Sequence, residues 1–233
     1  MKIGLLECDH VADRFRPLAG DYREMFPALF ARHAPAVTFQ NFDVCNGQFP
    51  ASIEACDGYL CTGSRFSVYQ ELDWIVALKE FVRRLAEGDR PYVGICFGHQ
   101  MLAEALGSRV APAESGWGVG VHAMEIARRE AWMLPDLSSC RLQYSHQDQV
   151  PHPPEGGVLL GRTAHCPVAM FRVGKSMLGI QAHPEFTAPY GEALLRERRE
   201  KIGTERADTA LDSLRTPTDE GIVASWIERF LRQ

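Results

Sequence analysis

Tyr92-Val93-Gly94-Ile95-Cys96-Phe97-Gly98-His99-Gln100 is the stretch that decides how the rest of the chain is read. An apolar run enters a cysteine with a glycine two residues to either side, and an amphipathic segment follows at once. The pattern predicts a buried strand, a sharp turn and a helix from about Gly98 to Leu106. Such a turn lifts a side chain above the carboxyl edge of a parallel sheet. Gly94 admits the close approach of another segment, and Gly98 removes a side chain just past the turn. Cys96 then meets the first turn of a helix, whose free N–H groups and dipole favour thiolate over thiol. The competing account is a mute core residue, because free cysteine is among the most buried residue types. A nucleophile therefore needs a base and an oxyanion site from elsewhere in the chain.

Upstream, Asp57 to Cys61 reads as a strand ending in Thr62-Gly63-Ser64, small residues that either turn backbone N–H groups toward a ligand or simply make a tight turn. Glu71 to Leu85 carries the clearest helical pattern, with Leu72, Ile75, Leu78, Val82 and Leu85 on its inner face, and Gly88 and Pro91 stop it. Strand, helix and strand at this spacing form a βαβ unit. That unit implies an α/β fold: a three-layer sandwich around a mainly parallel sheet with helices on both faces. Lys2 to Glu7 and Val37 to Phe42 read as two further strands with a helix, Tyr22 to His33, between them. Cys8-Asp9-His10 falls at the sheet edge where ligand-facing loops lie, and His10 is read as a solvated loop histidine in preference to a substrate contact.

Downstream the character changes. Gly116-Trp117-Gly118-Val119-Gly120 lacks both the spacing and the following helix of a dinucleotide-binding loop. Short strands are predicted at Val119–Ile126, Val158–Gly161, Ala169–Val173 and Met177–Gln181. Between them Tyr144-Ser145-His146-Gln147-Asp148-Gln149-Val150 is a dense polar cluster whose plain reading is a loop. Ala182-His183-Pro184-Glu185 follows the last core strand. His183 and Glu185 lie two apart in an extended segment, so they project to one side, where a carboxylate can select the tautomer of the imidazole. The tail is helical in three pieces, about Gly191–Glu200, Glu205–Leu214 and Asp219–Arg232. The last carries an apolar stripe of Ile222, Val223, Trp226, Ile227 and Phe230 that must pack on the core or on a partner.

Composition narrows the function classes. A chain of 233 residues buries one sizeable core. A net charge of −5 gives no electrostatic reason to expect nucleic acid or an anionic membrane as partner. No apolar stretch approaches membrane length or a secretory signal. Seven cysteines form neither a paired framework nor a Cys-x-x-Cys, so a cytoplasmic, reducing setting is expected. His99 and His165 lack companions at metal-site spacing, so neither metal nor cofactor is expected.

Placed together, Gly94-Ile95-Cys96-Phe97-Gly98-His99-Gln100 and His183-Pro184-Glu185 resemble the class I glutamine amidotransferase family, over about residues 3 to 190. The resemblance implies a flavodoxin-like domain over residues 1–190 with a helical extension, 191–233, packed on the core. It implies Cys96 as nucleophile, His183 as base and Glu185 as the orienting carboxylate. Phe97 would give one oxyanion N–H, and Gly63 or Ser64 the second, in a Thr62-Gly63-Ser64 turn that departs from the family's usual pair. Gln100 matches a substrate-contacting glutamine, and Ser145, His146 and Gln147 match a segment that grips the substrate's α-amino and α-carboxylate groups. The Ser-His-x-Asp-x-Val run at 145–150 is most similar to the amidotransferase portion of GMP synthase and its stand-alone relatives, among them γ-glutamyl peptidases. With only a helical tail after residue 190, a complete GMP synthase is not expected.

The implied activity is cysteine-dependent hydrolysis of the γ-amide of glutamine or of a γ-glutamyl compound, through a thioester on Cys96. Alternatives are a glutaminase subunit delivering ammonia to a separate synthetase, a non-catalytic regulatory module that keeps the fold, and a cysteine hydrolase of an unrelated ester. A synthetase partner and a homo-oligomer both stay open.

Overall fold

The computed structural model describes residues 1–233. In chain order the elements of the first half are β1 (Lys2–Leu6), α1 (Arg16–Ala19), α2 (Tyr22–His33), β2 (Thr38–Phe42), β3 (Gly58–Cys61), α3 (Asp73–Glu87), β4 (Tyr92–Ile95) and α4 (Phe97–Ala105). The second half carries β5 (Ala111–Pro112), β6 (Gly118–Ile126), β7 (Ser139–His146), β8 (Asp148–Gln149), β9 (Gly157–Arg162), β10 (Met170–Val173) and β11 (Met177–Ile180). The tail is α5 (Ala188–Glu197), α6 (Arg199–Ile202), α7 (Thr204–Ser213) and α8 (Glu220–Leu231).

Nine strands form one sheet in the order β2-β1-β3-β4-β11-β10-β9-β6-β7. It is mixed, which corrects the expectation of a mainly parallel sheet. Pairings from β2 to β11 are parallel, and those from β11 to β7 are antiparallel. The reason lies in the connections. Helices α2 and α3 carry the crossovers from β1 to β2 and from β3 to β4, whereas no helix intervenes between β6 and β11, and short turns join only antiparallel neighbours. The polar cluster at 144–150 is also not simply a loop: Tyr144, Ser145 and His146 end the edge strand β7.

The parallel strands alternate their side chains between two cores. Leu5, Leu60 and Val93 pack with Phe26 and Phe30 of α2 and Trp226 and Phe230 of α8. Leu6, Tyr59 and Tyr92 face Leu78 and Val82 of α3 and Met101 of α4 on the other side. This two-residue alternation in strands covered on both faces is what makes the three layers. Helix α2 is started by a capping box in which Asp21 and Glu24 satisfy each other's backbone N–H groups. In α3 the start lies two residues later than the periodicity predicts. Leu72 is its half-exposed N-cap, and Phe81 joins the buried face instead.

The tail lies against the body at two places. Helix α8 buries Val223, Trp226, Ile227 and Phe230, and the Trp226 indole N–H donates to the Pro135 carbonyl (3.1 Å). Helices α5 to α7 form a smaller cluster with Val119 of β6 through Leu195, Ile202, Ala207 and Ala210. No helix is long and apolar enough to cross a membrane.

Candidate active site

The register of the parallel strands brings three chain segments to one edge. Cys61 is opposite Gly94, and Ile95 is opposite Ile180. The residues that follow these strands, Thr62-Gly63-Ser64, Cys96 and His183, therefore emerge side by side, in the crevice at the carboxyl ends where open α/β sheets place ligands.

Cys96 sits at φ 51° and ψ −99° between β4 and α4, a conformation that non-glycine residues hold only under restraint. Its N–H donates to the Ile180 carbonyl (2.9 Å), and the Gly98 N–H donates to the Thr62 carbonyl (3.2 Å). A Cβ on Gly98 would lie 2.5 Å from the Cys61 carbonyl oxygen, and one on Gly94 would overlap the Gly98 backbone. The two glycines thus let α4 start directly against β3 and β4, and the turn has no room to relax. Helix α4 starts one residue earlier than the periodicity predicts. Phe97 is its first residue, and the Phe97 N–H is one of the orphan donors of the first turn.

His183 is held by its backbone: its N–H donates to the Gln143 carbonyl of β7 (2.8 Å). That bond draws the antiparallel half of the sheet back over the parallel half. The imidazole Nδ1 lies 2.8 Å from Glu185 Oε1, both side chains being buried. With Nδ1 taken by the carboxylate, Nε2 is the ring nitrogen left to serve Cys96, which borders the same cavity. Phe186 stacks on the imidazole at 3.9 Å between centroids and 12° between planes. A Cβ on Gly63 would lie 2.8 Å from the ring's Cε1, so only glycine fits beside it. Burial works against charge on His183, but the Glu185 carboxylate and Cys96 outweigh it and raise the pKa well above the ordinary histidine value.

Two cavities meet at Cys96. One, of about 230 Å³, contains His183, Phe186 and Tyr190; the other, of about 380 Å³, contains Gln100, His146 and Gln147. Ser64, Arg65, Ser145 and Arg198 border both. The Gln100 amide nitrogen donates to the Asp148 carbonyl (2.7 Å) and to Gln181 Oε1 (3.1 Å), which fixes its orientation in the larger cavity. His146 Nδ1 donates to the Asp148 carbonyl (3.0 Å), and burial pushes its pKa down to about 3, so it is a neutral ring. His99 is likewise held neutral by burial, with a pKa pushed down to about 3, edge-on to Phe171 in the core and away from both cavities.

Of the residues singled out in the sequence, Cys96, His183, Ser64, Gln100, Ser145, His146 and Gln147 border one or both cavities, Gly63 and Glu185 lie against the His183 ring, and Phe97 follows Cys96 directly. His10 departs from its expected role as a solvated loop residue. Its Nδ1 lies 3.0 Å from Asp21 and its Nε2 3.2 Å from Asp43, and these carboxylates raise its pKa against the opposing effect of burial. Residues that the sequence reading missed are Phe186, Tyr190 and Arg198, and the ion pair of Arg65 with Asp9 (2.6 Å). Phe186 was within reach, since it directly follows Glu185. The others come from loops and helices whose placement only the packed chain reveals.

A sheet of this topology carrying a strained cysteine beside a histidine–carboxylate pair defines an amidotransferase-type α/β protein. The Glutamine amidotransferase class-I family profile matches residues 53–201, and the chain belongs to that family. Gamma-glutamyl peptidase 4 of Arabidopsis thaliana is 31% identical over 175 residues, covering 72% of this chain and 68% of the plant protein. A glutamine-hydrolysing GMP synthase of Streptococcus mutans is 31% identical over 160 residues, 67% of this chain but 30% of the longer synthase. Among solved structures, a glutamine amidotransferase of Thermotoga maritima superposes with a TM-score of 0.80, covering 100% of this chain and 99% of that one at 18% identity. That likeness is one of fold.

Proposed function

We propose that the chain is a γ-glutamyl amidohydrolase in which Cys96 is the nucleophile, His183 the proton carrier and Glu185 its orienting partner. The observation that carries this reading is the 2.8 Å contact of His183 Nδ1 with Glu185, beside a cysteine held at positive φ where two cavities meet. With its thiol proton passed to His183, the Cys96 sulfur attacks the γ-carbonyl carbon of the substrate, forming an S–C bond and moving the carbonyl π electrons onto oxygen. The Phe97 N–H and the N–H of Gly63 or Ser64 receive that oxyanion; none of the three has an acceptor within the protein. His183 gives its proton to the departing nitrogen as the C–N bond breaks, leaving a γ-glutamyl thioester. Water then attacks the thioester while passing a proton to His183, the S–C bond breaks and glutamate is released.

Gln100 and the Ser145-His146-Gln147 segment border the larger cavity, which on this reading holds the γ-glutamyl half. The relatives named as γ-glutamyl peptidases support a γ-glutamyl compound as the substrate class. The test is a substrate panel with the purified chain alone: glutamine, γ-glutamyl dipeptides and an α-linked dipeptide control, with products identified. Release of glutamate from γ-linked substrates only is the expected result. Turnover that survives in Cys96→Ala, or cleavage of the α-linked control, would contradict it. A glutaminase subunit awaiting a synthetase would instead stay idle alone and gain activity on adding that partner.

A further inference from the structure

The smaller cavity is on the side where the leaving group must go. His183 borders it and does not border the larger one. Since His183 protonates the departing nitrogen, whatever that nitrogen carries extends into this chamber. Its volume of about 230 Å³ is several times the roughly 30 Å³ that one water- or ammonia-sized molecule takes up in a liquid. A glutaminase releasing ammonia has no use for such space.

The chamber's charge is equally specific. Three guanidinium groups line it, Arg14, Arg65 and Arg198, together with the His10 ring, against the two carboxylates Asp9 and Glu197; His10 is already taken up by Asp21 and Asp43. Arg14 pairs with Glu197 and Arg65 with Asp9. Arg198 is left without an ion pair. Its one side-chain hydrogen bond goes to Ser145 Oγ (3.3 Å), a neutral and easily exchanged partner. The Arg198 N–H is bound to the Leu194 carbonyl (3.0 Å) at the end of α5, so the backbone that carries the guanidinium is fixed. Phe15 and Tyr190, edge to face at 6.4 Å, supply an apolar wall beside it.

Resting on the γ-glutamyl hydrolase reading above, the geometry points to this chamber as the subsite for the leaving amine, with Arg198 recognising a carboxylate on it. The substrate class is then a γ-glutamyl amino acid or short γ-glutamyl peptide rather than glutamine. A guanidinium–carboxylate contact of this kind is a charge-assisted hydrogen bond, and Arg presents the geometry for a bidentate one.

The test compares γ-glutamylglycine, γ-glutamylglycinamide and glutamine on the wild type, Arg198→Ala and Arg198→Lys. Wild type is expected to favour the free carboxylate over the carboxamide by about 10- to 100-fold in kcat/KM, the range for a lost hydrogen bond to a charged group. Arg198→Ala should lose most of that preference, falling at least about tenfold further on γ-glutamylglycine than on glutamine. Arg198→Lys should retain part of it. Equal turnover of acid and amide by the wild type would overturn the proposal. An equal loss on γ-glutamylglycine and glutamine in Arg198→Ala would overturn it too, because the guanidinium would then serve the glutamyl half. If no γ-glutamyl compound is hydrolysed, calorimetric binding of the same acid and amide separates the two ideas. An Arg198-dependent preference for the acid would keep the subsite while the hydrolase reading falls, and equal binding would remove the subsite.

Discussion

The corner that carries Cys96 and the wall that faces it are built in opposite ways. The corner is local: the stretch from Tyr92 to Gln100 through β4, turn and the start of α4, locked by backbone hydrogen bonds and by two glycines with no room for a side chain. The wall is assembled from distant pieces. Arg14 and Phe15 follow β1, Arg65 follows β3, and Tyr190, Glu197 and Arg198 come from α5 and its end. It is held by ion pairs with half-exposed partners, such as Arg14 with Glu197, and such pairs contribute roughly 0–1 kcal/mol each. The contrast teaches that the chemistry is fixed rigidly, while what the chemistry acts on is set by more easily altered surfaces. The chemistry should therefore break sharply on substitution, and the wall should shift by degrees.

The largest break is expected at the reacting groups. Cys96→Ala or His183→Ala should lower kcat by about 10⁴-fold or more, while Glu185→Gln retains measurable turnover because it loses orientation and charge support rather than a bond-making group. Steady-state kinetics on variants with unchanged circular dichroism reads this. Near-normal rates in His183→Ala would remove the imidazole from the mechanism.

Next comes the scaffold of the corner. In Gly94→Ala the new methyl group would meet the Gly98 backbone and lie 2.6 Å from the His99 nitrogen, and backbone cannot rotate out of the way. A loss of about 3 kcal/mol or more is expected, at or above the upper end of ordinary overpacking. Urea unfolding measures it, and a midpoint equal to wild type would mean that the corner is looser than described.

Much of this corner was legible in the sequence because its signals are contiguous: the apolar run, the spaced glycines and the small residues after β3. The buried His183–Glu185 pair was legible for the same reason, since His183, Pro184 and Glu185 are neighbours in the chain. The mixed half of the sheet was not. Short apolar runs predict strands without saying which way they pair, and β7 hid within a stretch of polar residues. The wall left no signal, because Arg198 earns its place only when α5 is brought beside β7. That is a fact of packing rather than of pattern.

Phe186 lies between the two regimes. Its ring stacks on the imidazole at 3.9 Å, so Phe186→Ala should let His183 turn and reduce kcat by about tenfold with little change in KM, the behaviour of a positioning residue. Phe186→Tyr should restore the rate if stacking is what matters. An equal loss in both variants would assign the effect to the fold.

The last expected effect is electrostatic. The pKa of His183 is raised to about 10 despite burial, because the Glu185 carboxylate and Cys96 favour the charged ring. A group whose folded pKa lies above its unfolded value binds more protons when folded, so its contribution to stability is complete below about pH 6.5 and fades as the pH rises toward 10. Urea midpoints should decline across that window, and the decline should be shallower in His183→Gln. An equal decline in both proteins would assign it to other groups.

The most direct measurement of the central claim is peptide mapping by mass spectrometry after brief incubation with a γ-glutamyl substrate and acid quench. The account predicts a γ-glutamyl adduct on the peptide containing Cys96 alone among the seven cysteines, absent from Cys96→Ala. Turnover with the adduct on another cysteine, or undiminished labelling of the Cys96→Ala protein, would contradict it.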